Sequence, residues 1–152
     1  MNKKYFLIDE IVEEYFLIAV HTSLPDYSMA FILNKNLRAN FTRDEKIILY
    51  KNATFEIFQW ENLIKGINCS LISNKKFIDF RSDIKTNSLF NLSETKKVSL
   101  LDSLPDVDYL IKIKHGLDIN HTIKTLNKLP QLVLSYIVDN TIVKSNFNLI
   151  LD

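Results

Sequence analysis

Glycine is nearly missing from this chain. Gly66 and Gly116 are the only two in 152 residues, so neither a phosphate-binding P-loop nor a three-glycine dinucleotide fingerprint can be written, and nucleotide binding by those routes is excluded. Cysteine is scarcer still. Cys69 stands alone, which excludes an internal disulfide and a cysteine-ligated metal centre and fits a reducing compartment. No motif around it activates the thiol, so a buried, unreactive cysteine is expected. Long apolar runs are absent too: nowhere do eighteen apolar residues follow one another without a charge, so no membrane-spanning helix is expected. The basic start of MNKKYFLIDEIVEEYF is interrupted by acids within a few positions and does not read as a signal peptide. A cytoplasmic protein follows as the expectation. An excess of one charge is also lacking. Nineteen basic residues against eighteen acidic ones leave +1, so no global field steers the protein to nucleic acid or to an anionic membrane, and such binding would need a local patch.

What the chain does have is apolar and aromatic material. The hydrophobic fraction is 47%, with ten Phe and six Tyr, and the charged fraction is 24%, which places the chain with folded globular proteins rather than disordered ones. At this length one core is expected, in a single α+β domain over residues 1–152. The sequons at Asn52, Asn68, Asn91 and Asn120 carry no weight in a cytoplasmic chain rich in Asn, Ser and Thr.

The tetrapeptide SLPD occurs twice, at 23–26 and 103–106. Residues 14–20 (EYFLIAV) form a short apolar run of buried-strand type, after which Ser23 is placed to cap a helix, with Asp26 as the reciprocal acid and Pro25 in the first turn. Tyr27, Ala30, Phe31 and Leu37 then form the expected inward stripe. The second SLPD precedes Val107, Tyr109, Ile111 and Ile113 at alternating positions, the pattern of a half-buried strand, so Leu104-Pro105-Asp106 is a turn. The repeat is therefore shared turn chemistry rather than duplication. Between the two, a strand is expected near 41–43, and residues 54–60 and 67–73 read as a hairpin joined through Gly66. The polar stretch 75–94 reads as a long loop. After Gly116, Asp118 caps a helix with Ile119, Ile123 and Leu126 on its stripe, Pro130 ends it, and residues 132–138 make a strand. That strand–helix–strand unit makes its two strands parallel. Phe147, Leu149 and Leu151 alternate in the manner of a last edge strand. The expected fold is α+β, with a mixed, mostly antiparallel sheet, two main helices on one face and a loosely ferredoxin-like arrangement.

Candidate sites are few. His21 and His115 each follow or end a strand, and if those strands were neighbours of the same sense the two imidazoles and Asp26 would meet at one sheet edge as a two-histidine, one-carboxylate centre. No HxE or HxD spacing accompanies them, so no metal or cofactor is expected. Asp106 and Asp108 form a carboxylate pair, but solvation accounts for them. The best nucleic-acid signal is NKNLRANFTR at 34–43, where Lys35, Arg38 and Arg43 accompany Phe41: cations hold phosphate and an exposed aromatic stacks on a base. Lys75, Lys76, Lys96, Lys97, Lys112 and Lys114 would extend that surface. Trp60 and Tyr109 are candidate interface anchors.

The motif Val107-Asp108-Tyr109, with LPDYSMAFILNKNL, LISNK at 71–75, VDYLIKI and the terminal SYIVD and KSNFNLIL, resembles the IPExxxVDY family of small Bacteroidota proteins. The first half of that motif differs here, its positions being Leu101, Asp102 and Ser103. The resemblance implies a cytoplasmic bacterial domain and brings no activity with it. A non-enzymatic domain that binds another protein or itself is the leading expectation, with an exposed sheet edge or apolar patch as its surface. An RNA-associated module using Lys35, Arg38 and Arg43, and an enzyme with its site near His21, are the alternatives.

Overall fold

The computed structural model describes residues 15–80 and 94–139. In chain order it has β1 (Phe16–His21), α1 (Asp26–Leu37), β2 (Thr42–Tyr50), β3 (Ala53–Asn62), β4 (Ile67–Ser73), β5 (Lys75–Phe80), β6 (Glu94–Ser99), β7 (Tyr109–His115), α2 (Ile119–Asn127) and β8 (Leu134–Ile137). The alternation at Phe147, Leu149 and Leu151 lies outside the described residues.

Six strands form one sheet in the order β2-β3-β4-β7-β1-β8, and β5 pairs with β6 in a separate hairpin. Every adjacent pair is antiparallel. The expected β7–α2–β8 unit is present. Because β1 runs antiparallel to both β7 and β8, those two strands share one direction, with β1 lying between them rather than the two pairing with each other. This α+β architecture has both helices on one face, since the alternation along each strand sorts side chains into two cores. Ile18, Val20, Leu71, Ile111 and Ile113 meet Met29, Ala30 and Leu33 of α1 and Leu126 of α2. Leu17, Ala19, Phe55, Ile72 and Leu110 meet Val98, Leu100, Leu101 and Val107 on the other face. The second core explains a departure in β7. Its expected wet face carries Leu110, fully buried beneath residues 98–107, and Val107 turns to that face instead of sharing one with Tyr109.

Four local expectations change. Helix α1 takes Pro25 as N-cap with no side-chain cap, and Asp26 accepts the Tyr27 N–H at 2.7 Å instead of serving Ser23. Its inward stripe is Met29, Ala30 and Leu33, while Tyr27 and Phe31 stand 69% and 67% exposed. The helix is apolar on two sides, so the face is chosen by which one meets the sheet. The strand near 41–43 extends to Tyr50, and residues 75–80 and 94–99 are the two arms of a hairpin rather than a loop.

The predicted α2 matches closely. Asp118 is the N-cap and accepts the Asn120 N–H at 3.1 Å, and Leu126 is buried.

Candidate functional site

A cleft of about 340 Å³ opens where the end of β1, the end of β4 and the start of β7 meet. Thr22, Asp26, Ser73, Lys75, Asp108 and Tyr109 line it, with Phe77 of β5 beside them at 66% exposure. Its construction follows from the residues that precede β7. The Asp108 N–H donates to the Val20 carbonyl at 3.0 Å, continuing the β1 pairing by one residue. The Asp108 carboxylate then accepts the Thr22 N–H at 2.9 Å and holds the Lys75 ammonium at 3.1 Å. Tyr109 turns to the helix side and its hydroxyl donates to the Leu24 carbonyl at 2.5 Å, fixing the loop that leads into α1. Thr22 completes that loop, accepting the Leu24 N–H at 3.2 Å and donating to the Gln131 carbonyl at 2.9 Å.

Behind the cleft, Asn74 is completely buried and organises the segment 100–108. Its amide nitrogen donates to the carbonyls of Leu104 at 2.9 Å and Val107 at 2.7 Å, and its amide oxygen accepts the Leu101 N–H at 2.9 Å. Its backbone N–H donates to Asp108 and its carbonyl accepts from Leu100. One side chain thus satisfies the Leu101 N–H and the Val107 carbonyl and adds a second bond to the Leu104 carbonyl, which also accepts the Val107 N–H at 3.3 Å.

The charges are arranged in pairs. Lys75 meets Asp108, Lys76 meets Glu56, and Lys97 meets Asp106 at 3.3 Å. Burial pushes the Glu56 carboxyl upward, but the Lys76 ammonium, a backbone N–H and the Arg43 charge outweigh it and hold the group below the usual carboxylate range. Burial also raises the Tyr109 phenol, and the nearby carboxylates of Asp26, Asp108 and Glu56 raise it further. The phenol therefore stays protonated as a hydrogen-bond donor. Away from the cleft, Asp102 is held low by the Tyr50 hydroxyl at 2.7 Å and the Lys51 ammonium at 3.0 Å. Cys69 is 1% exposed, its thiol contacts the His115 carbonyl at 3.3 Å, and burial pushes it up to about 12.

Of the candidate residues, Asp26, Asp108 and Tyr109 come together at the cleft. His21 and His115 do not meet. β1 and β7 are neighbours but antiparallel, so the two histidines lie toward opposite ends of the pair. His21 instead stacks on Tyr136 with centroids 5.6 Å apart, its Nε2 lying 3.2 Å from the Tyr136 hydroxyl. Among the described residues no group of three His, Cys, Asp or Glu side chains is placed to hold a metal.

Lys35 and Arg38 sit at the other end of α1, roughly 18 Å of helix from the cleft, where cations complement the helix dipole. Arg38 is the C-cap, in the left-handed region at φ 51°, and Arg43 stands exposed on β2. The aromatic of that segment is not available for stacking on a base: Phe41 is buried against Trp60, ring centroids 5.7 Å apart. Its place is set by Asn34, whose side chain accepts the Phe41 N–H at 2.7 Å and donates to its carbonyl at 3.1 Å. Of the lysines expected to extend the basic surface, Lys75, Lys76 and Lys97 are ion-paired and Lys112 lies over the Tyr15 ring at 4.5 Å. Trp60 is half-buried in the helix-side core rather than an anchor standing in solvent.

Asn74, Thr22 and Glu56 escape a reading of the sequence because each is an ordinary polar residue whose partner is remote in the chain. Among the described residues no helix is long and apolar enough to cross a membrane. Comparison with protein-family models, with curated proteins and with solved structures gives no match for this chain.

Proposed function

We propose that the protein is a cytoplasmic, non-enzymatic interaction domain that binds another protein or a second copy of itself. The observation that carries this reading is the end strand β2. No described strand pairs with its outer side, and Ile47 and Leu49 stand 48% and 73% exposed along it. An apolar sheet edge in water is an invitation to strand addition, and folded proteins ordinarily blunt such edges. The engaged state of the cleft supports the same reading. Asp108 and Tyr109, two of its three candidates, are committed to holding the backbone of residues 22–24. The resemblance to the IPExxxVDY family fits, because Val107, Asp108 and Tyr109 each have a structural task here: core packing, loop anchoring and loop anchoring with burial.

Affinity purification of the tagged protein from its own host tests the proposal, with half of the sample treated with nuclease and a Leu49→Lys variant run alongside. A stoichiometric protein that survives nuclease and is lost with Leu49→Lys is the expected result. Partners that vanish with nuclease, together with co-purifying RNA and salt-dependent retention on heparin, would replace this reading with the RNA-associated one and direct substitution to Lys35, Arg38 and Arg43.

A further inference from the structure

We infer that the cleft binds a neutral, hydroxyl-rich ring, a monosaccharide or a cyclitol, with Ser73 as a hydrogen-bonding partner on its wall and Phe77 as its stacking face. This goes beyond the β2 reading and does not depend on it. Much of the cleft's polar surface is spent on the fold. Asp108 holds the Thr22 N–H, Tyr109 holds the Leu24 carbonyl, and Thr22 holds the Leu24 N–H and the Gln131 carbonyl. Ser73 is the exception. It lines the cleft and is only 6% exposed, yet its hydroxyl makes no hydrogen bond among the described residues. A hydroxyl withdrawn from bulk water without a partner costs stability, and native proteins ordinarily provide one.

Three neighbours keep hydrogen-bonding capacity in reserve. Ser23 is exposed at the rim, and its hydroxyl also has no partner among the described residues. Asp26 uses one carboxylate oxygen on the Tyr27 N–H at 2.7 Å and forms no ion pair among the described residues. Lys75 gives protons to Asp108 at 3.1 Å and to the Asp106 carbonyl at 3.3 Å, which leaves the third proton of its ammonium.

Charge selects the class of ligand. An anion in the cleft meets the carboxylates of Asp26 and Asp108, and a cation meets the ammoniums of Lys75 and Lys76. Ions of either sign therefore face like charge. A neutral polyol escapes both penalties, because its hydroxyls donate to Asp26, accept from Lys75 and do either with Ser73 and Ser23. Phe77 supplies the apolar contact, its ring 66% exposed beside Lys75 and Lys76. The C–H bonds on one face of a sugar or cyclitol ring present weakly positive hydrogens to the negative face of an aromatic quadrupole. The volume of about 340 Å³ lies at the low end of the range for ligand pockets, about 300–1,000 Å³, and suits one ring rather than a chain of them. Hydrogen bonds exchanged for water contribute little each, so a dissociation constant on the order of 1 mM is expected.

Two-dimensional amide NMR of the full chain tests this, with methyl glucoside, methyl galactoside and myo-inositol each titrated to roughly 50 mM. The expected result is that at least one of the three moves the amides of Ser23, Ser73, Lys75 and Phe77 along a saturating curve, while inorganic phosphate and methylammonium do not. Ser73→Ala and Phe77→Ala each weaken that binding at least ~5-fold, and Phe31→Ala, on the outward face of α1, leaves it unchanged. Ser73→Ala also leaves Tm undiminished, because no contact within the fold uses the hydroxyl. A fall in Tm with Ser73→Ala would make the serine structural and overturn its role. Three other results overturn the inference: no saturable shift with any of the three rings, shifts indifferent to both cleft variants, or phosphate or methylammonium saturating the same amides instead. None of these outcomes bears on the β2 edge, which is built from other residues.

Discussion

Replacing Asn74 with alanine strikes the single side chain on which the segment 100–108 depends. The native amide makes three hydrogen bonds to backbone groups at a site with 0% exposure. Alanine would strand the Val107 carbonyl and the Leu101 N–H and leave the Leu104 carbonyl with the Val107 N–H alone. Each polar group stranded in the interior costs about 1–3 kcal/mol, and with two stranded and a third bond to Leu104 lost, a loss of roughly 3–5 kcal/mol is expected. At ~2–4 °C per kcal/mol for a chain of this size, Tm should fall by roughly 6–20 °C. Aspartate distinguishes this account from a loss of volume. Asn74→Asp keeps the shape and the acceptor for Leu101, but when ionised it aims a carboxylate oxygen at two carbonyls. Burial and those carbonyls raise its folded pKa above the unfolded value near ~3.9. A raised carboxyl favours the folded state only while it is protonated, so its stability deficit grows as pH rises through the folded pKa, by up to about 1.4 kcal/mol per pH unit. Urea unfolding of native, Asn74→Ala and Asn74→Asp proteins at pH 5 and pH 8 measures both effects. An Asn74→Ala loss under ~1 kcal/mol, or an Asn74→Asp deficit that does not grow between the two pH values, would refute the hub role.

Three further outcomes are expected. Gly116→Ala should destabilise much more than Gly66→Ala in thermal melts, since both backbones have positive φ but only at Gly116 (φ +103°) would the new Cβ lie 2.8 Å from the Ile67 side chain and 2.9 Å from its Cα, whereas around Gly66 (φ +65°) the space is open. Asp118→Ala should cost about 1 kcal/mol through the lost cap of α2, while Ser23→Ala, at an exposed position outside the N-cap of α1, should stay within about 0.5 kcal/mol; equal losses at both sites in denaturant titrations would contradict the observed caps. Cys69 should resist iodoacetamide at pH 8 in the folded protein and react once urea is added. Folding holds its thiol protonated up to about 12, so that stabilisation is complete below the unfolded thiol pKa and is lost as pH climbs toward the folded one. Cys69→Ala should accordingly flatten the alkaline fall in Tm, and rapid alkylation of the native protein would contradict the burial.

The two helices differ in how much of each was legible in the sequence. Helix α2 was legible because all its determinants are local: Gly116 breaks the strand before it, Asp118 caps it through a bond to the residue two ahead, and its apolar stripe lies on one side only. The hairpin of β3 and β4 was legible for a similar reason, with Gly66 marking the turn between two apolar runs. Helix α1 was legible as a helix but not in its facing. Both Tyr27 with Phe31 and Met29 with Leu33 make plausible stripes, and only the sheet beneath selects the second.

By itself, the sequence determined the α+β class, the central strands, both helices, and the exclusion of glycine-rich nucleotide loops and disulfide frameworks, because composition, periodicity and turn chemistry act over a few neighbouring residues. Tertiary structure alone decided the rest. β5 and β6 carry strings such as KKFIDF and ETKKVS whose polarity conceals a strand until a partner supplies its hydrogen bonds. The separation of His21 from His115 turned on strand sense, which no residue encodes. Phe41 was withdrawn from the surface by Asn34 and Trp60. The cleft, the Asn74 hub and the open edge of β2 join positions far apart in the chain, and their energies exist only once those positions have been brought together.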